Sequence, residues 1–394
     1  MIAEKMMGLG KKRSVIREIF EYSKVRKAEI GAENVFDFSI GNPSIPTPEA
    51  VTETMKTLLR ECDPVALHGY TSAQGDAGVR KAIAADIEKR FGAAASPDLI
   101  YMTCGAAASL TITLTALINP GDEVILLAPF FPEYRVFAEK AGATVVVVNC
   151  REGDFQIDPV ALERAITSKT KAVIVNSPNN PTGAVFSEET VQAAAEVLSR
   201  KQREYGQDIF LIADEPYREL VYGVEVPYLP LFYQNTVVCY SYSKSLSLPG
   251  ERIGYIFVSP KVRECRDVYA AVCGAGRALG FVCAPSLLQY TVGRCVDVRP
   301  DLTVYKRNRD LFYESLTAYG YTVVPPDGAF YLFVKSPEPD AAAFCERAKK
   351  YELLLVPGDD FGGAGYVRIC YCVTTEQIER SLPKFKALME EYTK

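Results

Sequence analysis

A lysine with hydroxyls on one side and an arginine on the other is equipment for holding a phosphorylated aldehyde. The segment Ser241-Tyr242-Ser243-Lys244-Ser245-Leu246-Ser247-Leu248-Pro249-Gly250-Glu251-Arg252 places Lys244 just after two serines and eight residues before Arg252. Such an amine can form a Schiff base with a carbonyl, while Ser241, Ser243 and Arg252 can bind a phosphate dianion through hydroxyls and a forked guanidinium. The apolar run Thr236 to Tyr240 reads as a strand, so Lys244 falls on the loop past a strand end, where open α/β sheets collect their ligand groups. Together these residues read as an anchor for pyridoxal phosphate. A surface lysine in a serine-rich loop has the same local sequence, so other segments must decide.

Asp214, in Ile212-Ala213-Asp214-Glu215-Pro216-Tyr217, ends an apolar run. A carboxylate there is costly unless a cation meets it, and a protonated pyridine nitrogen is such a cation. Tyr217, three residues on, is placed to hydrogen-bond the phenolic oxygen of the same ring. The alternative is an N-cap aspartate opening the next helix. Asn180 sits in the proline-bounded turn Asn176-Ser177-Pro178-Asn179-Asn180-Pro181-Thr182-Gly183, able to donate to a ring oxygen or a substrate carboxylate, although Asn and Pro are ordinary turn residues. Thr103-Cys104-Gly105-Ala106-Ala107 joins a strand to a helix, and free N–H groups at a helix start attract phosphate. Ala106 and Ala107 bring no hydroxyl, so that cup offers backbone donors only. Phe131, between Pro129 and Pro132, can stack on a flat ring or simply pack.

The elements that must position these groups follow from hydrophobic periodicity. Between Leu99 and Pro260, short apolar runs alternate with amphipathic ones: Leu99 to Met102, Glu123 to Leu127, Ala143 to Val148, Lys171 to Val175, Ile209 to Ala213, Thr236 to Tyr240 and Ile253 to Val258. This pattern predicts an α/β architecture, a mostly parallel buried sheet covered by helices. The link from Ser241 to Ile253 is too short for a helical crossover, so that pair is expected antiparallel, with the later strand closing an edge. One helix is expected from Lys12 to Gly31, and an extended piece from Val35 to Gly41. After Pro285 come a long helical region, strands at Tyr321 to Val324, Ala329 to Val334, Leu353 to Val356 and Gly365 to Val373, a helix from Asp340 to Tyr351 and another from Thr375. The expected division is a large cofactor domain, 49–285, and a smaller α+β domain built from both termini, 1–48 with 286–394.

Composition narrows the function classes. A net charge of −5 without long charge runs argues against a nucleic-acid surface and for small-molecule partners. The eleven cysteines occur singly apart from Cys370-Tyr371-Cys372, and His68 is the one histidine, which leaves little for a zinc site or a disulfide framework. With no apolar signal core from Met1 to Lys12 and no membrane-length apolar run, a reducing, cytoplasmic setting is expected.

With these segments in order, nearly the whole chain resembles the class I and II aminotransferases, pyridoxal phosphate enzymes of the aspartate aminotransferase fold, fold type I. The resemblance rests on Asn179-Asn180-Pro181-Thr182-Gly183, Asp214-x-x-Tyr217, and Ser241-x-Ser243-Lys244 with Arg252. It implies that Lys244 is the Schiff-base lysine, that Asp214 pairs with the ring nitrogen, and that Asn180 and Tyr217 bind the ring oxygen. Ser241, Ser243, Arg252 and the Ala106 and Ala107 amides would hold phosphate, with Phe131 on the ring. The family often has serine or threonine where Ala106 and Ala107 stand, which alters only the phosphate inventory. By the same resemblance Tyr70, in His68-Gly69-Tyr70-Thr71, reaches the phosphate of the neighbouring subunit in a homodimer, Gly41 approaches the substrate, and Arg368 clamps its α-carboxylate. The implied reaction is double displacement, amino acid to 2-oxo acid, with aspartate or a related amino acid as donor and Lys244 as general base and acid. A pyridoxal phosphate lyase acting on a C–S or other β-leaving group would use the same anchor. Arg277, in Gly274-Ala275-Gly276-Arg277-Ala278, is either a distal-carboxylate clamp or a solvent-facing residue after a helix, and His68 reads as structural.

Overall fold

A computed structural model describes residues 2–11 and 15–393. The first strand, β1 (Phe36–Asp37), is the only strand within the expected extended piece. Seven strands then build the main sheet: β2 (Ile100–Thr103), β3 (Glu123–Ala128), β4 (Thr144–Asn149), β5 (Thr170–Asn176), β6 (Phe210–Asp214), β7 (Thr236–Ser241) and β8 (Gly254–Val258). Their order across the sheet is β2-β8-β7-β6-β5-β3-β4. All neighbours are parallel except β8, which runs against both β7 and β2. The antiparallel expectation for β8 holds, but the strand does not close an edge, because β2 pairs along its other side.

Successive side chains of a strand point to opposite faces, and here both faces are buried. Val173, Val175, Leu211 and Ala213 belong to one apolar core, while Ala172, Ile174, Phe210 and Ile212 belong to a second core across the sheet. That two-sided burial is why the strands are near-continuous apolar runs rather than alternating ones.

The C-terminal region adds five strands: β9 (Thr322–Val323), β10 (Tyr331–Lys335), β11 (Leu353–Leu354), β12 (Val356–Pro357) and β13 (Tyr366–Cys370). β12, β13, β10 and β9 form an antiparallel sheet, and β11 pairs with β1 in parallel. Their core joins the two termini, since Phe38 meets Phe312 edge to face at 5.1 Å and also packs with Phe385. The Leu353 to Val356 run therefore splits into two strands in different sheets. The helical region after Pro285 also divides, into Ser286–Arg294 and Thr303–Ala318. The first of these shares the main-sheet core through Leu288 and Val292, and the second shares the small core through Tyr305 and Phe312. Near the N-terminus, helices run over Glu4–Lys11 and Val15–Ile30. The expected start at Lys12 lies outside the described residues.

Between β6 and β7 the chain forms a turn and one short 3₁₀ helix, Leu229–Leu231, rather than a full helix. Asp214 is therefore no helix cap. Pro216, Pro227 and Pro230 interrupt the segment, and each removes a backbone donor. The buried pair Arg218 and Glu215, Nε to Oε2 at 2.6 Å, closes the turn on itself.

Candidate active site

The ends of four neighbouring strands converge. β3 runs into Pro129-Phe130-Phe131, β5 ends at Asn176, β6 at Asp214 and β7 at Ser241. Because β8 is antiparallel, its first residue, Gly254, lies opposite both Ser241 and Thr103, and Arg252 just before it arrives at the same edge. Lys244 lies on a one-turn helix, Tyr242–Ser245, rather than an open loop. Across the edge, helix Ala106–Leu117 starts at Gly105 with φ 86° and no side-chain cap. A Cβ at Gly105 would lie 3.0 Å from Arg252 Nη2, so glycine meets both the left-handed backbone and the close guanidinium.

A cleft of about 340 Å³ opens there, between the main sheet and the smaller one. Lys244, Asp214, Tyr217, Asn180, Ser241 and Ser243 border it, as do Ala106, Ala107, Phe131 and Arg252. Gly41 and Arg368, from the two terminal regions, complete the wall. Tyr70 is not brought to it, being 98% exposed. Arg277, near the end of helix Cys265–Leu279, and His68 are exposed and also outside it.

The polar groups interlock. Lys244 Nζ donates to the Gly41 carbonyl at 2.6 Å and lies 5.4 Å from the Phe330 ring centre. Arg368, 2% exposed, donates through Nη1 to Asn180 Oδ1 at 3.0 Å and through Nη2 to the Ser39 carbonyl at 2.6 Å, while its Nε has no partner. Asn176 ties adjacent strand ends together, donating from Nδ2 to the Asp214 carbonyl at 2.9 Å and accepting from the Asn180 N–H at 2.8 Å. Tyr134 hydrogen-bonds Asp214 Oδ2, whereas Oδ1 is buried without a partner. The Tyr217 and Tyr331 hydroxyls are 2.9 Å apart.

Burial sets the charge balance. It raises the Asp214 carboxyl from 3.8 to about 7, opposed by the Tyr134 hydrogen bond and assisted by the charge of Glu215. It also lowers the Lys244 ammonium below its ordinary value, with Arg252 and Arg368 acting in the same direction and the Cys372 and Cys370 thiols opposing. Folding thus makes Asp214 take up a proton between pH 3.8 and about 7. A group whose folded pKa is raised contributes stability that is present at low pH and lost as pH climbs through the folded value. Relative to Asp214→Asn, the cofactor-free protein should therefore lose denaturant resistance as pH rises across this window. Tyr134→Phe, lacking the bond that favours the carboxylate, should extend the loss to higher pH. Midpoints of urea unfolding against pH check this, and a wild-type profile parallel to that of Asp214→Asn would contradict it.

Tyr134, Tyr331, Asn176 and Ile16 border the cleft as well, and residue types alone did not single them out. Asn176 carried a signal, as the last polar residue of an apolar run beside the Asn179-Asn180 turn. Tyr134 and Tyr331 are two among 23 tyrosines, and only the tertiary fold selects them.

Comparison with known proteins shows the family. Residues 33–385 match the family model for aminotransferases of class I and II. The chain belongs to that family and is a transaminase, an enzyme of pyridoxal phosphate-dependent amino-group transfer. It is 32% identical to the aspartate/prephenate aminotransferase of Thermus thermophilus over 89% of each chain. Among solved structures, an aminotransferase from Eubacterium rectale superposes with a TM-score of 0.98 at 54% identity, covering 100% of both chains. Aspartate aminotransferase from Thermus thermophilus, solved with maleate, gives 0.87 at 28% identity over 98% of this chain and 99% of that one.

Proposed function

We propose that the cleft binds pyridoxal phosphate and transfers an amino group from an L-amino acid, aspartate or a related one, to a 2-oxo acid. The observation that carries this is the unpartnered, buried Oδ1 of Asp214 in the same cleft as the Lys244 amine. A buried carboxylate oxygen without a donor suits a protonated ring nitrogen. Ser241, Ser243, Arg252 and the uncapped helix start at Ala106 and Ala107 suit a phosphate. The residues present therefore fit the cofactor, which when bound supplies an electron sink for the carbanion formed at the substrate Cα.

The chain's own groups do the rest. Asp214 would keep the ring nitrogen protonated, Asn180 and Tyr217 would hold the ring oxygen, and Phe131 would cover the ring. Arg368 takes the α-carboxylate, with Gly41 leaving room beside it. Lys244 would hold the cofactor covalently and, with its amine free, would take the proton from the substrate Cα and return it one carbon away. The lowered proton affinity of Lys244 suits that task, because a general base works best near operating pH. The lyase alternative gains nothing from the aminotransferases that the chain resembles.

The same proposal includes a homodimer with shared sites and a cytoplasmic setting. The exposure of Tyr70 suits a residue that serves another chain. The cysteines are all unpaired, and no described helix is long and apolar enough to cross a membrane. It also includes the two-domain division, 1–48 with 286–394 and 49–285, supported by the separate cores. The packing of helix Ser286–Arg294 moves the join about one helix further along. Mixing inactive Tyr70→Ala and Lys244→Ala chains should restore activity, since one hybrid site is intact. No recovery after verified subunit exchange would count against sharing.

A panel of amino donors against 2-oxoglutarate, pyruvate and oxaloacetate tests the substrate class. Hydrogen bonds to charged groups contribute about 1.5–3 kcal/mol, so Arg368→Leu should weaken every donor roughly ten- to hundredfold. Arg277→Leu should weaken dicarboxylic donors alone if it is the distal clamp. Arg368→Leu activity unchanged across the panel would remove Arg368 from substrate binding.

A further inference from the structure

Cys370 and Cys372 have no task in the reaction described above. Their sulfurs are 3.0 Å apart in the protein interior. Among the described residues no other two cysteine sulfurs are in hydrogen-bond contact. They sit immediately behind the cleft wall. Arg368 is two residues before Cys370 on β13, and the Cys370 N–H donates to the Phe38 carbonyl at 2.9 Å. The Cys372 sulfur faces the Ile40 carbonyl at 3.8 Å. Ile40 and Gly41 border the cleft, and Gly41 holds the Lys244 amine. The pair thus touches the segment that positions both the lysine and the arginine. A soft-metal site needs further ligands, and the described residues contain no group of three or more His, Cys, Asp or Glu side chains suited to one.

We infer that Cys370 and Cys372 are a redox-active dithiol, oxidised to a disulfide by a small hydroperoxide, and that closure displaces Arg368 and shuts the enzyme off. The reading of the displacement rests on Arg368 as substrate clamp. Burial opposes ionisation of Cys370, but the Cys372 hydrogen bond and the charges of Arg368 and Lys244 outweigh it and hold the thiol below its ordinary value. Cys372 is pushed up by burial and by its neighbour. Cys370 is then the attacking thiolate. It attacks the terminal peroxide oxygen, breaking the O–O bond and releasing hydroxide or alkoxide, which is protonated to water or alcohol, and becomes a sulfenic acid. Cys372 loses its proton and attacks that sulfur, forming the S–S bond and expelling the sulfenic oxygen as water. The two thiols are oxidised by two electrons and the peroxide is reduced. Burial of both sulfurs excludes an oxidant the size of glutathione disulfide.

Closing the bond draws the sulfurs about 1 Å together. In a close-packed interior such a shift is passed on, and an error of about 1 Å at a reacting site can cost about a hundredfold.

Trypsin cleavage after Arg368 and Arg380 releases both cysteines in one peptide, residues 369–380. The holoenzyme treated with hydrogen peroxide, then denatured and alkylated with N-ethylmaleimide before digestion, should yield this peptide unlabelled and two hydrogens lighter. Activity should fall at least tenfold in step, and dithiothreitol should restore both labelling and activity. Cys372→Ser, with Cys370→Ser as a second variant should the first misfold, should be active and show no reversible loss. Peroxide inactivation with the peptide still doubly labelled, reversible inactivation persisting in the serine variants, or a formed disulfide with full activity would each overturn the proposal. The mass readout needs no amino donor, so an enzyme that never transaminates is distinguished from a dithiol that never closes.

Discussion

Lys244→Ala is expected to cut turnover by on the order of 10⁴-fold with every donor, the largest effect of any single substitution. Under the proposed assignment two contributions disappear together, the covalent hold on the cofactor and the group that carries the proton, and general acid–base catalysis by itself supplies about 10²–10⁴. Lys244 is the only lysine bordering the cleft among the described residues, so no neighbouring amine stands in. Cofactor binding should survive, because Ser241, Ser243, Arg252 and Asp214 are untouched. Borohydride reduction followed by peptide mapping should label Lys244 in the wild type and nothing in the variant. A label on another lysine would refute the assignment.

Asp214→Asn is expected to be the next most damaging, lowering turnover by about 10²–10³, the range for removal of a preorganised electrostatic partner. The amide nearly matches the carboxylate in shape and keeps the Tyr134 neighbour, so the fold should persist. What is lost is the negative charge proposed to hold a proton on the ring nitrogen. Both half-reactions need the same electron sink, so both should slow by similar factors. Stopped-flow measurement of each half-reaction checks this, and a variant within threefold of wild type in both would separate Asp214 from the chemistry.

The fold was legible wherever burial imposed a composition. Strands such as Thr170–Asn176 and Phe210–Asp214 are buried on both faces, so their apolar runs stand out. Lys244, Asp214 and Asn180 were visible because polar residues closing such runs need a reason. The neighbour of β8 was not visible, since its second partner, β2, lies about 150 residues earlier and nothing local encodes that pairing. The alternative of Asp214 as the N-cap of a following helix fails against Pro216, Pro227 and Pro230, which interrupt the segment between β6 and β7. Tyr134 and Tyr331 come from other elements and reach Asp214 and Tyr217 only through packing. Tyr70 and Arg277 are exposed on the single chain, so the role expected of Tyr70 requires the proposed dimer, while the exposure of Arg277 fits the solvent-facing alternative as well as a distal clamp.

The central claim is that nitrogen stays with the protein between two half-reactions. Purified holoenzyme given a good amino donor and no oxo acid should release one equivalent of the corresponding oxo acid per site and then stop. Adding a different 2-oxo acid should return one equivalent of its amino acid and restore the starting absorption spectrum, with no ammonia formed. Continuous release of ammonia and pyruvate from cysteine or cystathionine, with no stoichiometric half-reaction from any ordinary amino acid, would contradict it.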